Sequence, residues 1–168
     1  MKIDLNGKIA LVCASTKGLG FACAKGFVES GCSVILTGRS DENLRKAKEK
    51  LMLISETKSF DNKIHTIKVD LNVRSELNNF LNTLSSHSSI DILIMNSGGP
   101  APGDFESFTD MNDFEDKTSQ ITYPAISLIN HVLPSMKNNK WGRIINISSI
   151  GLSKPITGLA VSNASRAY

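Results

Sequence analysis

The residues with the clearest chemical potential lie in a short turn near the amino terminus, where residues 13–20 read C-A-S-T-K-G-L-G. Gly18 and Gly20 allow the backbone to turn tightly and to approach a phosphate, and the start of a following helix offers free N–H groups. The segment therefore predicts a phosphate-binding turn, with an ordinary tight strand-to-helix turn as the alternative. Its candidate contacts are Ser15, Thr16, Lys17, Gly18, Leu19 and Gly20.

A second group of polar residues follows the next apolar run, at T-G-R-S in residues 37–40. In a sheet that binds a dinucleotide, this point lies beside the adenosine ribose. A carboxylate there holds the 2′-hydroxyl, whereas an arginine accommodates a 2′-phosphate. Arg39 and Ser40 occupy the position, and the cation Lys17 lies in the glycine turn. Two cations without a carboxylate favour NADP(H) over NAD(H), and two solvated side chains are the alternative.

Both groups need a strand before them and a helix after them, and the chain alternates in this way throughout. Five short apolar runs predict strands, several of them apolar on both faces, as in a sheet covered by helices. These runs are 8–14, 31–38, 64–70, 90–96 and 141–149. Amphipathic stretches predict helices over 18–30, 41–56, 73–86 and 110–138. The alternation predicts a parallel, doubly wound α/β sheet in one domain over residues 1–168.

Particular residues predict further details of these helices. The first helix would bury one face made of Leu19, Ala22, Cys23, Gly26 and Phe27. Asn72 would cap the third helix, and Pro124 would kink or break the fourth. The segment 98–110 is rich in Gly and Pro, which predicts the most flexible connection of the chain.

Composition excludes several classes of protein. The 168 residues carry a net charge of +3, which is too small to indicate nucleic-acid binding. No apolar run approaches the roughly 20 residues of a membrane span. Cys13, Cys23 and Cys32 fit neither a C-x-x-C pair nor a zinc module, so we interpret them as reduced packing residues of a cytoplasmic protein. The three histidines lack ligand spacing, and no metal site is predicted.

Further motifs follow the third, fourth and fifth apolar runs, namely V-D-L at 69–71, N-S-G at 96–98 and I-S-S at 147–149. Together with the glycine turn, and in this order along the whole chain, they resemble the short-chain dehydrogenase/reductase family. The resemblance is strongest to its 3-oxoacyl-[acyl-carrier-protein] reductase-like branch. The family's T-G-x-x-x-G-x-G turn aligns with residues 13–20, so Cys13 and Ala14 replace its first two residues.

This resemblance implies a Rossmann-type sheet and a set of site residues. The cofactor contacts that it implies after the third and fourth strands are Asp70, Leu71, Asn96, Ser97 and Gly98. The hydroxyl facing the substrate is Ser149, at the end of the fifth strand. A small-molecule carbonyl or alcohol is the partner that the family implies, with neither nucleic acid nor membrane.

The chain departs from the family at the catalytic positions. Where the family has Tyr-x-x-x-Lys, the aligned residues are Ser162 and Arg166, in S-N-A-S-R. The helix that supplies an asparagine to the family's proton relay has Gln120 and Ile121 at that level. Serine is a much weaker acid than tyrosine. Arg166 could still bind cofactor ribose hydroxyls and stabilise a developing oxyanion, although it stays protonated at neutral pH.

The sequence is compatible with three interpretations of the protein. The first is NADP(H)-dependent reduction of a ketone or 3-oxoacyl thioester, with Ser149, Ser162 and Arg166 as catalytic residues. The second is a catalytically impaired protein that binds only a nucleotide or a partner, and the third is a truncated copy. The motifs place five strands, one fewer than the full doubly wound order, which predicts an incomplete domain without its C-terminal strands. Homo-oligomers are expected only for a longer chain.

Overall fold

Five short strands form one parallel sheet. A computed structural model of the chain describes residues 3–58, 60–86, 89–107 and 110–167. The strands are β1 (Ile9–Val12), β2 (Ser33–Gly38), β3 (Ile64–Lys68), β4 (Ile92–Met95) and β5 (Arg143–Asn146). They lie in the order β3-β2-β1-β4-β5, and all four pairings are parallel. The predicted doubly wound α/β class is confirmed, and each strand is shorter than the apolar run that predicted it.

Helices connect the strands on both faces of the sheet. They are α1 (Gly18–Glu29), α2 (Asp41–Lys58), α3 (Arg74–Ser85), α4 (Met111–Asn138) and α5 (Ala160–Ala167), with short 3₁₀ turns at Phe105–Ser107 and Ile150–Leu152. The strand order reverses between β1 and β4, so the turns that follow these two strands diverge and leave a crevice at the carboxyl edge of the sheet.

Side chains alternate between two hydrophobic layers along each central strand. Ala10 and Val12 of β1 pack into the layer beneath α1 and α2, whereas Leu11 and Cys13 pack into the layer beneath α3 and α4. Successive strand residues point to opposite faces, and here both faces are buried. This double burial is why β1, β2 and β4 read as continuous apolar runs and not as alternating ones.

The predicted inward face of α1 is confirmed only in part, because Cys23 and Phe27 are half-buried against the core whereas Ala22 and Gly26 are exposed. The helix buries Gly20, Ala24 and Val28, while Leu19 is 65% exposed. The rotation is determined by Gly20, which lies directly against the carbonyl oxygen of Ala14 and leaves no room for a side chain. A backbone contact therefore decides which face is buried, and apolar periodicity carries no signal for it.

The starts of α3 and the course of α4 also differ from expectation. The residue that caps α3 is Val73, without a side-chain hydrogen bond, and the predicted cap Asn72 lies one position earlier. The backbone N–H of Asn72 instead donates to Asp70 at 3.0 Å. α4 is one helix of 28 residues that contains Pro124, so the predicted break is absent.

The Gly- and Pro-rich segment 98–110 is anchored in its described part. The N–H of Gly103 donates to the carbonyl of Gly158 at 2.8 Å, and the carbonyl of Gly103 accepts from Ala160 at 3.0 Å. Residues 108 and 109 lie outside the described ranges, so the prediction for them stays a prediction. Within those same ranges, no helix has both the length and the apolarity that crossing a membrane requires.

The packing predicts how the thiols react. Cys13 and Cys32 are buried and Cys23 is half-buried, and burial raises the pKa of Cys13 and of Cys32 to about 12. Because the thiolate is the reactive species, iodoacetamide at pH 8 should modify Cys23 first and the other two only after unfolding. Peptide mapping with and without urea measures this, and labelling of Cys13 in the native chain at its rate in urea would contradict it.

Candidate active site

A cavity of about 280 Å³ lies at the carboxyl edge of the sheet, in the crevice between the turns after β1 and β4. Eight of the predicted contacts line it, namely Thr16, Lys17, Arg39, Asp70, Leu71, Asn96, Ser97 and Gly98. Six further residues that were not predicted as cofactor contacts also line it, namely Ala14, Thr37, Gly38, Val69, Asn72 and Gly99. Four of them lie within the predicted motifs and the last two directly follow a motif, so their signal is proximity to a strand end. We call this cavity the crevice pocket.

Several residues of the glycine turn support the pocket and do not line it. The hydroxyl of Ser15 accepts a hydrogen bond from the N–H of Thr37 at 3.0 Å and is fully buried. Gly20 lies beneath the turn, and Gly18 and Leu19 are exposed at the start of α1. Ser40 accepts from the N–H of Asn43 at 3.3 Å, at the start of α2. These side chains hold or extend the turn, whereas Thr16 and Lys17 face the pocket.

The turn after β1 is held by the end of β4. The side-chain amide of Asn96 donates to the carbonyl oxygen of Ala14 at 3.2 Å, and the N–H of Ala14 donates to the hydroxyl of Thr37 at 3.1 Å. A Cβ on Gly20 would lie 2.8 Å from that amide nitrogen and would collide with the Ala14 carbonyl. Asn96 and Gly20 thus bring the first turn of α1 against both strand ends.

The pocket suits an anion at its base. Lys17 occupies the N-cap of α1 and forms no side-chain capping bond there. The first N–H groups of a helix have no partner within the helix and carry the positive end of its dipole, which favours a phosphate. Gly18 has a φ of +58°, a conformation that a side chain would strain. The residues present therefore fit the pyrophosphate of a dinucleotide.

Arg39 and Asp70 face each other across the outer part of the pocket. A guanidinium nitrogen of Arg39 lies 3.8 Å from a carboxylate oxygen of Asp70, and the Arg39 side chain is 77% exposed. An exposed ion pair at this distance contributes little to stability. The Arg39 guanidinium therefore lies at the pocket mouth in a weak ion pair that an incoming anion can replace.

A second cavity, of about 210 Å³, lies between α4, α5 and the ends of β4 and β5. Its lining includes Ser97, which also lines the crevice pocket, and Arg166. The Nε–H of Arg166 donates to the hydroxyl of Ser162 at 3.3 Å. A Cβ on Gly99 of the crevice pocket would lie 3.2 Å from an Arg166 guanidinium nitrogen. Arg166 thus stands between the two cavities. We call the second one the inner cavity.

The remaining positions at the inner cavity sharpen the sequence prediction. The resemblance implies an asparagine at the level of Gln120 and Ile121, and Ile121 lines the cavity with an apolar side chain. Asn146 and Ser148 line the cavity from the strand side, and the sequence analysis missed both. Asn146 ends β5 and Ser148 lies two residues further along the extended chain, and this spacing of two is the signal that identifies them. The predicted Ser149 follows, and its hydroxyl accepts from the N–H of Gly151 at 3.1 Å.

No tyrosine of the described chain lines this region. Tyr123 lies on α4, and the guanidinium carbon of Arg74 stands 4.8 Å from the centre of the Tyr123 ring. Tyr168 lies outside the described residues. The described ranges also hold no group of three His, Cys, Asp or Glu residues that could bind a metal. The polar groups at the inner cavity are therefore hydroxyls, amides and one guanidinium.

Comparison with known proteins agrees with this geometry. A family model described as short chain dehydrogenase matches residues 8–167. An uncharacterized oxidoreductase, YvrD of Bacillus subtilis (strain 168), is 31% identical over 156 residues. The 3-oxoacyl-[acyl-carrier-protein] reductase FabG of Aquifex aeolicus (strain VF5) is 30% identical over 151 residues. These alignments cover 93% and 89% of this chain, respectively.

A solved structure shows the same fold. L-Sorbose reductase from Gluconobacter frateurii, complexed with NADPH and L-sorbose, superposes with a TM-score of 0.85 at 24% identity over 99% of this chain. The chain spans only part of each relative, namely 56% of YvrD, 58% of FabG and 62% of the sorbose reductase.

The turn after β1 generates a stability prediction. Ala14 has a φ of +46°, which costs a residue with a side chain about 1 kcal/mol. We expect Ala14→Gly to raise the free energy of unfolding by about 1 kcal/mol, because glycine adopts this conformation without strain. Urea denaturation measures the change. Ala22→Gly on the exposed side of α1 is the matched control and should lower stability by about 1 kcal/mol. A lower free energy of unfolding in both variants would show that the backbone at Ala14 is not strained.

Proposed function

The chain belongs to the short-chain dehydrogenase family, and from that premise we propose that it is an NADP(H)-dependent oxidoreductase that reduces a ketone or 3-oxoacyl thioester carbonyl. The observation that carries the proposal is the placement of Arg166, which lines the inner cavity and adjoins Gly99 of the crevice pocket. A group held there can contact a ligand in either cavity. A small carbonyl compound is the proposed substrate, and homo-oligomers are proposed only for a protein longer than this chain.

The crevice pocket supports the choice of cofactor. Lys17 and the start of α1 would hold the pyrophosphate, Asp70 and Leu71 the adenine, and Asn96, Ser97 and Gly98 the nicotinamide side of the ligand. Arg39, with no other carboxylate than Asp70 beside it in the pocket lining, would pair with a 2′-phosphate. NADPH, when bound, supplies the hydride that reduces the carbonyl carbon.

The polar groups around Arg166 would stabilise the oxygen of the substrate. The guanidinium is a fixed positive charge, and its bond to the Ser162 hydroxyl holds it in one orientation. It would stabilise the negative charge that develops on the carbonyl oxygen, and Ser162 and Ser149 would orient that oxygen by hydrogen bonds. A guanidinium is not a proton donor in catalysis at neutral pH, so solvent would supply the final proton to the oxygen. Positioning and charge stabilisation therefore account for the proposed catalysis.

A second candidate function is favoured by one specific observation. Ser162 and Arg166 occupy the positions where the resemblance implies Tyr and Lys, and Gln120 and Ile121 stand at the level of its Asn. A positioned general acid contributes about 10²–10⁴-fold to a rate, so its absence fits a protein that binds the nucleotide or a partner without turnover. The two candidates share the crevice pocket and differ in what the inner cavity does.

Arg39 generates the cofactor prediction. Arg39→Ala should weaken NADPH binding by at least 10-fold and leave NADH binding within twofold, because only NADPH carries the 2′-phosphate. Titration of the reduced cofactor by fluorescence measures both affinities. Arg45→Ala is the matched control, since Arg45 is an exposed arginine on α2 that pairs with Glu49 at 2.7 Å. An equal loss of affinity for NADPH and NADH would contradict the proposed contact between Arg39 and the 2′-phosphate.

The inner cavity generates the activity prediction. The protein should oxidise NADPH with at least one member of a panel of 3-oxoacyl thioesters, ketones and aldoses. The double change Ser162→Tyr with Arg166→Lys should lower kcat at least 10-fold, because lysine lacks the planar fork of arginine and the bond from Arg166 to the Ser162 hydroxyl is lost. Arg45→Lys is the control and should leave kcat unchanged. A large gain in turnover in the double variant would identify an impaired site and favour the second candidate.

A further inference from the structure

The segment between Ser149 and α5 is held by one side chain that the proposed mechanism does not use. Asn163 lies in the first turn of α5, directly after Ser162. Its Nδ2 donates to the carbonyl oxygen of Ile156 at 2.9 Å, and its Oδ1 accepts from the N–H of Ile156 at 3.3 Å. The amide thus bonds to both backbone groups of one loop residue, as a neighbouring strand would.

The same amide also contacts the region around Ser149. Gly151 is buried beneath it, and a Cβ at that position would lie 2.6 Å from Oδ1 of Asn163. The N–H of Gly151 donates to the Ser149 hydroxyl at 3.1 Å. A continuous path of contacts therefore joins Asn163 to Ser149 through Gly151.

The other hydrogen bonds in the middle of this segment are local, since the N–H of Leu152 donates to the carbonyl of Ser149 at 3.1 Å and the N–H groups of Ser153 and Lys154 donate to that of Ile150 at 3.0 Å. Ile150, Leu152 and Ile156 are all exposed, so burial stabilises their positions weakly. The far end is fixed separately, because Gly158 donates to the carboxylate of Asp104 at 3.0 Å and accepts from the N–H of Gly103 at 2.8 Å. Between these two ends, Asn163 supplies two side-chain hydrogen bonds from α5.

We propose that Asn163 is a positioning residue that holds the loop 150–158 against α5 and thereby fixes the Ser149 hydroxyl relative to Ser162 and Arg166. This proposal rests on the proposed function for its catalytic consequence. Under the proposed function, Ser149, Ser162 and Arg166 act on one substrate oxygen and must keep their mutual distances, because a misplacement of about 1 Å can cost about 10²-fold in rate. We call the two hydrogen bonds between Asn163 and Ile156 the clamp, and this clamp joins the two segments that carry these groups.

The first test is Asn163→Ala, measured for cofactor affinity, kcat and backbone exchange. Asn163 does not line the crevice pocket, so the Kd for NADPH should stay within twofold while kcat falls at least 10-fold. Hydrogen exchange at the Ile156 amide should accelerate, because its acceptor is removed. Asn78→Ala on the exposed side of α3 is the matched control for the rise in helix propensity and should change none of the three.

A double-mutant cycle separates the clamp from a general loss of stability. Gly151→Ala alone should reproduce the fall in kcat, because its methyl group displaces the Asn163 amide. In a chain that also carries Asn163→Ala, the methyl group has space, so the double variant should be no slower than Asn163→Ala alone. Additive losses in the cycle, an unchanged kcat in Asn163→Ala or an unchanged exchange rate at Ile156 would each overturn the proposal.

The outcomes also distinguish this proposal from the proposed function. If the unaltered protein reduces no carbonyl compound while Asn163→Ala still accelerates exchange at Ile156, the proposed function fails and the clamp stands. If the unaltered protein is active and Asn163→Ala keeps its kcat, the clamp has no catalytic role and the proposed function stands.

Discussion

The contact between Gly20 and the carbonyl oxygen of Ala14 is the constraint on which the rest of the site depends. It brings the first turn of α1 directly against the end of β1, with the Asn96 amide bonded to the same carbonyl from the end of β4. Because this contact involves backbone, it permits only glycine at position 20. The rotation of α1, the depth of the crevice and the orientation of its unpaired N–H groups all follow from it.

The two cavities depend on this arrangement in different ways. The crevice pocket is built by strand ends and tight turns, whose backbone geometry is held by the sheet. The inner cavity is built by side chains from α4, α5 and the ends of β4 and β5. Ser97 lines both cavities, and Arg166 of the inner cavity adjoins Gly99 of the crevice pocket. A ligand group in the crevice and a substrate in the inner cavity would therefore meet at the same guanidinium. In the proposed function, Arg166 would be the electrostatic link between cofactor binding and the reduction of the carbonyl.

Much of the fold was predictable because strong local patterns specify it. The apolar runs of β1, β2 and β4 indicated strands buried on both faces, and the structure confirms the parallel sheet. The errors occurred where a pattern was weak or was overridden. Apolar periodicity placed Leu19 inside, but a backbone contact at Gly20 turned it outward. Pro124 indicated a kink or a break, but α4 continues through it, with Pro124 buried on the same face as Leu128 and Val132.

The sequence by itself determined the family, the sheet and the positions of the motifs, because each is encoded by residue type and spacing over a few neighbours. It also showed that Ser162 and Arg166 stand where the family has other residues. Only the tertiary structure decided that Arg166 adjoins Gly99, that Ser148 and Asn146 face the inner cavity, and that Asn163 bonds to Ile156. These contacts join residues from separate elements or across a loop, and their distances depend on how the helices pack against the sheet.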